Sequence, residues 1–261
     1  MRVNVGASIA YPLRDPKWAT KIFFGIGMMM LACCCGWTAN FFCSLGKVGS
    51  VAGVPLALAS SIGMVLVSLM MSGYLMRTLH ELLTGKEGML PTWSQPGDLL
   101  KKGLGMWIID VVYGLIPGLL LMFGLRTVFA SMFASAGVHH GMTAVTHGAM
   151  TFAGVGVGFL IGGVGFLSVL VVAFLSPMVM VRYASTLSIA HALSPREVVK
   201  DIRRNTKGYA FVLTMVFLMH LGAGTILSLV PLVGPWLYAA GSFFLNLVGL
   251  HMLSQHQRTI S

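Results

Sequence analysis

Six separate stretches of this chain are each long and apolar enough to cross a bilayer, and that leaves few folds open. A helix needs about 18 or more apolar residues to span the hydrocarbon core. The runs Ile22–Phe42, Val51–Met76, Leu104–Phe123, Phe152–Val181, Tyr209–Val230 and Trp236–Leu253 all meet that length. Inside lipid every backbone polar group must be satisfied within its own element, so such runs fold as helices. The expected fold is an all-α, polytopic transmembrane helical bundle of about six spans with amphipathic cytoplasmic connecting helices. Residues 22–256 form a single membrane domain, preceded by a basic segment, 1–21, and followed by a tail, 257–261. The stretch Val128–Met150 is apolar but rich in Gly, His and Ser. It is expected to be a loop or an interfacial helix.

Composition excludes the alternatives. The 261 residues are 56% hydrophobic and 9% charged, whereas a soluble domain carries about 25% charged residues. Disorder needs low hydrophobicity and high charge, and this chain has neither. The formal charge of +10 comes from basic residues lying between apolar runs, where they act as topology signals and contacts for anionic headgroups rather than for nucleic acid.

Their distribution is lopsided. Fifteen of the 17 Lys and Arg residues fall before the first run, in the second-to-third and fourth-to-fifth connections, or after the last run. Only Lys47 and Arg126 fall on the other side. Cytoplasmic loops are the Lys/Arg-rich ones, so both termini are expected in the cytoplasm, with the chain in the plasma (inner) membrane. The first run follows four basic residues, Arg2, Arg14, Lys17 and Lys21, as a signal peptide would. However, it continues unbroken past Cys33-Cys34, so an uncleaved span is expected. Cys33, Cys34, Cys35 and Cys43 lie in or at the end of one apolar run, which indicates no disulfide framework.

The basic connections carry ordered-looking sequence. Gly85 is suited to a left-handed helix end, Trp93 to an interfacial anchor, and Asp98 to capping the third span. Ser194-Pro195-Arg196-Glu197 is a capping box with Pro at the first helical position. After it, Val198, Val199 and Ile202 form an apolar stripe opposite Lys200, Arg203 and Arg204, as in a helix lying on anionic headgroups. Arg77 to Gly103 and Arg182 to Gly208 span the same length of chain, the spacing of a parallel repeat.

Within Ser72–Gly118 the residues Gly73, Tyr74, Arg77, Gly85, Leu90, Pro91, Trp93, Gly97, Asp98, Leu99, Gly103, Tyr113 and Pro117 make a recognisable pattern. This stretch resembles the domain-of-unknown-function 4013 family of prokaryotic multi-pass membrane proteins. The resemblance implies an integral membrane protein and carries no catalytic residues across.

Few groups point to chemistry. Asp110 is the only acid inside an expected span and stands 8 residues past Lys102, about 12 Å into the membrane. A charge there costs roughly 2.5–3.5 kcal/mol and calls for a partner, with Arg77 or Arg182 expected. The alternative for Asp110 is ion or proton coupling. His220, mid-span in the fifth run, is expected to hydrogen-bond a neighbouring helix. His139, His140 and His147 are weak candidates for a metal site, since no carboxylate or thiolate supports them. Gly154, Gly158 and Gly162, spaced by four, let helix backbones approach closely. There is no nucleophile elbow, HExxH or phosphate loop. The expectation is therefore a non-enzymatic accessory or scaffold component without a cofactor, working in a homo-oligomer or membrane complex. The alternative is a small transporter or channel with Asp110 and His220 in its pathway.

Overall fold

The computed structural model describes residues 3–44, 50–86, 89–137, 144–230 and 233–259. They form α1 (Val5–Ala10), a 3-10 turn (Tyr11–Leu13), α2 (Trp18–Ser44), α3 (Ser50–Leu83), α4 (Pro96–Gly137), α5 (Ala144–Thr186), α6 (Ile189–Ala192), α7 (Pro195–Arg204), α8 (Thr206–Ser228) and α9 (Gly234–Arg258). No strand occurs among the described residues. Each of the six apolar runs lies in its own helix, α2, α3, α4, α5, α8 and α9, long and apolar enough to span a membrane. The protein is a multi-pass, all-α membrane protein.

Local chemistry sets the helix ends. Asn4 starts α1 by accepting from the Ala7 N–H at 3.0 Å, and Asn205 starts α8 by accepting from Gly208 at 3.0 Å; such caps satisfy donors the helix cannot. At the end of α3, Gly85 adopts φ 91°. The N–H of Lys86 then reaches the Glu81 carbonyl, and that of Gly85 the Leu82 carbonyl, the paired bonds of a Schellman end.

Four expectations are corrected. The stretch Val128–Met150 is mostly the far ends of α4 and α5, and only 138–143 lie outside the described residues. Its Ala, Phe and Met residues continue the helical run, and Ser131 lies against Gly154. In α7 the apolar stripe faces protein instead of headgroups: Val198 and Ile202 are 0% and 5% exposed. Ser194 does cap α7, with Pro195 at the first turn, but its side chain makes no cap hydrogen bond. The two equal-length connections also differ, one holding a turn and irregular chain and the other α6 and α7. Equal spacing here is not a structural repeat.

The chain divides into two compact units, residues 1–107 with 178–261, and residues 108–177. In the first unit α9 is central: α1, α2, α3 and α8 all pack on it. Half of its most apolar stretch is buried, against 6–17% in the other five spans. Tyr74, Leu79, Leu82, Leu99, Met178, Tyr209, Phe243 and Leu247 are fully buried here. Where α3 crosses the start of α4 the backbones touch. A Cβ on Gly73 would sit 1.8 Å from the Leu99 carbonyl oxygen, and one on Gly103 would sit 1.9 Å from that of Leu69. Only glycine permits this approach.

The second unit is the pair of arms of α4 and α5, also joined through glycines. Gly124 faces Gly158 and Gly162, Gly165 meets the backbone of Leu121, and Gly154 meets Ser131. The four-residue spacing of Gly154, Gly158 and Gly162 is thus used for backbone approach.

Candidate functional site

Asp15 is the only acid in the first 80 residues, and it is 3% exposed. Its Oδ2 takes the Lys21 ammonium at 2.6 Å and the N–H of Leu90 at 2.8 Å, while Oδ1 takes the N–H of Lys17 at 2.7 Å. Lys21 also donates to the Leu90 carbonyl. Burial pushes the Asp15 carboxyl up, but the Lys21 and backbone hydrogen bonds outweigh it and hold the group below its ordinary value of 3.8.

This ion pair fastens the N-terminal segment to the connection between α3 and α4. Next to it, Trp93 donates its indole N–H to the Lys21 carbonyl at 3.0 Å and stacks on Tyr74. Phe24 and Phe243 close over the same rings, and Tyr74 donates to the Pro91 carbonyl at 3.2 Å. The motif residues Tyr74, Pro91 and Trp93 therefore form one aromatic knot. Gly73 and Gly103 make the crossing beneath it, and Gly85 ends α3. Gly97 begins α4 with open space around it. Asp98 lies inside the first turn, not at the cap, and pairs with Lys102 at 2.7 Å. Tyr113 and Pro117 belong to the second unit.

The expected arginine partners are also placed. Arg77 pairs with Glu81 at 3.2 Å. Arg182, 8% exposed, pairs with Asp201 of α7 at 2.5 Å, and its Nη2 lies 3.0 Å from His191 Nε2. Both arginines thus have carboxylates in their own unit, in place of the Asp110 expected from sequence. Asp110 is exposed on α4 with no ion pair among the described residues.

His220, half-buried on α8, has Nδ1 3.4 Å from the Tyr238 hydroxyl of α9. The two line a cavity of about 630 Å³ walled by Phe217, Leu221 and Pro235 and edged by Thr225 and Ser228. A second cavity, of about 500 Å³, lies between the end of α3 and the start of α4 and is walled by charged groups, Arg77 and Lys102 among them. His139 and His140 lie outside the described residues, and of His147 only its place in α5 is described. Among the described residues no three His, Cys, Asp or Glu side chains are placed to hold a metal ion.

Sequence reading missed Asp15, Asp201 and the histidines of α9. A lone acid among four basic residues was a signal for Asp15. His251 stacks on Tyr11 at 4.6 Å, with Nδ1 3.0 Å from Ser8 Oγ. His256 is 1% exposed, and both ring nitrogens lack a hydrogen-bond partner among the described residues.

A family model described as "Protein of unknown function (DUF4013)" matches residues 56–232, more than half of the chain. No curated protein and no solved structure matches it.

Proposed function

The chain belongs to the DUF4013 family of proteins of unknown function, and from that premise we propose that it is a non-enzymatic accessory or scaffold component of the plasma membrane, with both termini cytoplasmic. The observation that carries this reading is how the charged groups are used. Asp15, Glu81, Asp98 and Asp201 are each closed on a cation that fixes one element to another or to itself. Five of the six spans meanwhile bury at most 17% of their most apolar stretch. A locked polar layer at the span ends with wide apolar flanks suits a protein that holds lipid and other membrane proteins.

The test is quantitative co-purification of the tagged full chain in mild detergent, against an unrelated six-span protein. Stoichiometric recovery of a homo-oligomer or a defined complex is expected. A monomer with no enriched partner would overturn the reading. Orientation is tested by cysteine labelling of intact cells on a background lacking the four native cysteines. His140→Cys is expected to react from outside, and Glu87→Cys and Glu197→Cys to stay unmodified.

A second reading, a small transporter or channel, is favoured by the exposed Asp110 and by the cavity at His220. It requires pH-dependent flux in proteoliposomes that Asp110→Asn or His220→Gln abolishes.

A further inference from the structure

The cavity of about 500 Å³ at the junction of α3 and α4 has an unbalanced charge. On α3, Arg77, His80 and Glu81 line it, a spacing that sets them on one face, and Thr84 follows in the turn after the helix. From α4 come Asp98 and Lys102, with Lys86 and Gln95 contributed by the intervening chain. Both carboxylates are already engaged along their own helices, Glu81 with Arg77 and Asp98 with Lys102. Lys86 is exposed and has no ion pair among the described residues. Among the described residues, three cations therefore face two occupied carboxylates.

The donors are held in place. Arg77 uses Nε on Glu81 and Nη1 on the Ser94 carbonyl at 3.3 Å, leaving Nη2 for a ligand. His80 donates Nδ1–H to the Ala184 carbonyl at 2.6 Å, which fixes the ring in the cavity wall. Gln95 has φ 66°, a left-handed conformation that non-glycine residues adopt rarely, often at binding sites. Its carbonyl accepts from the N–H groups of Asp98 and Leu99, so the strained residue anchors the start of α4 beside the cavity.

Depth selects the ligand. The α3 span helix ends at Leu83 and the α4 span helix begins at Pro96, so the cavity lies where two span helices end, beyond their apolar middles, where anionic phosphate is within reach of both lipid and solvent. Guanidinium and ammonium groups are the side chains that bind phosphate best.

We propose that this cavity binds a phosphate group, carried by an anionic lipid headgroup or by a soluble phosphate, through Arg77, Lys86 and Lys102. The site is independent of whether the chain is a scaffold or a transporter. The test uses the full chain in a maltoside detergent, titrated with dihexanoyl phosphatidylglycerol, with inorganic phosphate, and with dihexanoyl phosphatidylcholine as the reference. Binding is read by native mass spectrometry. Saturable binding at least tenfold tighter than to phosphatidylcholine is expected in one of the first two arms, and the arm that saturates identifies the source. Lys86→Ala removes an exposed side chain outside any helix, so it is expected to fold normally and to weaken binding at least tenfold. Lys200→Ala, an exposed cation on α7, is expected to leave binding unchanged. Absence of such binding in both arms, or binding that Lys86→Ala does not weaken, overturns the proposal.

Discussion

The rings of Tyr74 and Trp93 stack with centroids 3.8 Å apart and planes 8° from parallel. One comes from a membrane-spanning helix and the other from an irregular connection, so this contact ties the connection to the span. Phe24 and Phe243 flank Trp93. Replacing Trp93 by Ala empties a half-buried site and is expected to cost about 3 kcal/mol, the low end for a large aromatic. Trp93→Phe keeps an aromatic ring against Tyr74 but loses the bond to the Lys21 carbonyl and part of the packing, for about 1–2 kcal/mol. Thermal unfolding of the purified variants in detergent separates the two, and equal losses would contradict this ranking.

The Asp15 lock carries a pH dependence of known sign. Its carboxyl is held below 3.8 in the folded protein, so folding favours the ionised form. The stabilisation is complete well above pH 3.8 and is lost as the pH falls through the lower folded value. Wild type is therefore expected to unfold at a higher temperature than Asp15→Asn at pH 7, and the gap is expected to narrow below about pH 4. A gap that widens on acidification would refute the assignment.

Arg182 and Asp201 form a buried pair. Arg182→Met strands the carboxylate and is expected to cost about 3–5 kcal/mol, moderated by Arg204 at 3.6 Å. Arg182→Met combined with Asp201→Leu removes both charges and is expected to recover most of that loss. A double variant as unstable as the single one would show that the pair does more than neutralise itself.

The crossing of α3 and α4 gives a contrast between glycines. Gly73→Ala drives a Cβ into the Leu99 carbonyl and is expected to cost 3 kcal/mol or more, the top of the roughly 1–3 kcal/mol range for overpacking. Gly114 has nothing within 4 Å of its Cβ position. Gly114→Ala is expected to be neutral, or to stabilise by about 0.5–1 kcal/mol through helix propensity. Yields of folded protein in size-exclusion chromatography report the difference.

Asp110 reverses an expectation drawn from sequence. Had it held Arg77 or Arg182, Asp110→Leu would have stranded a cation. Both arginines have other carboxylates, so Asp110→Leu is expected to be at least as stable as wild type in thermal unfolding. A loss above about 3 kcal/mol, the scale of a broken buried pair, would restore the ion-pair reading.

What the sequence made legible follows from the range of each interaction. Six spans were readable because apolar length is a property of consecutive residues, and the end of α3 was readable because Gly85 announces it locally. The reach of α4 and α5 was not, because Gly, Ser and His lower hydropathy while the partners that make them useful, such as Ser131 against Gly154, lie elsewhere in the chain. The partner of Arg182 was misassigned for a related reason. An acid within a span draws attention by its cost, whereas Asp201 sits on a polar helix where any acid looks ordinary. The contact of Asp15 with Leu90 joins residues 75 positions apart, and no local pattern encodes it.

The docking of α1 on α9 bears on how the protein is made. Asn4 donates to Gln255 at 2.7 Å, and Ser8 lies against His251, contacts separated by more than 240 residues. The helix α1 therefore has no resting place until α9, more than 200 residues later, has been synthesised and inserted. During that interval Ser8 and Tyr11, both buried at the end, stay open to chaperones and proteases. Contacts of such long sequence separation form late, so α1 is seated only after α9 is in place. A variant slow to insert α9 would leave α1 open to proteolysis even if every other span were in place.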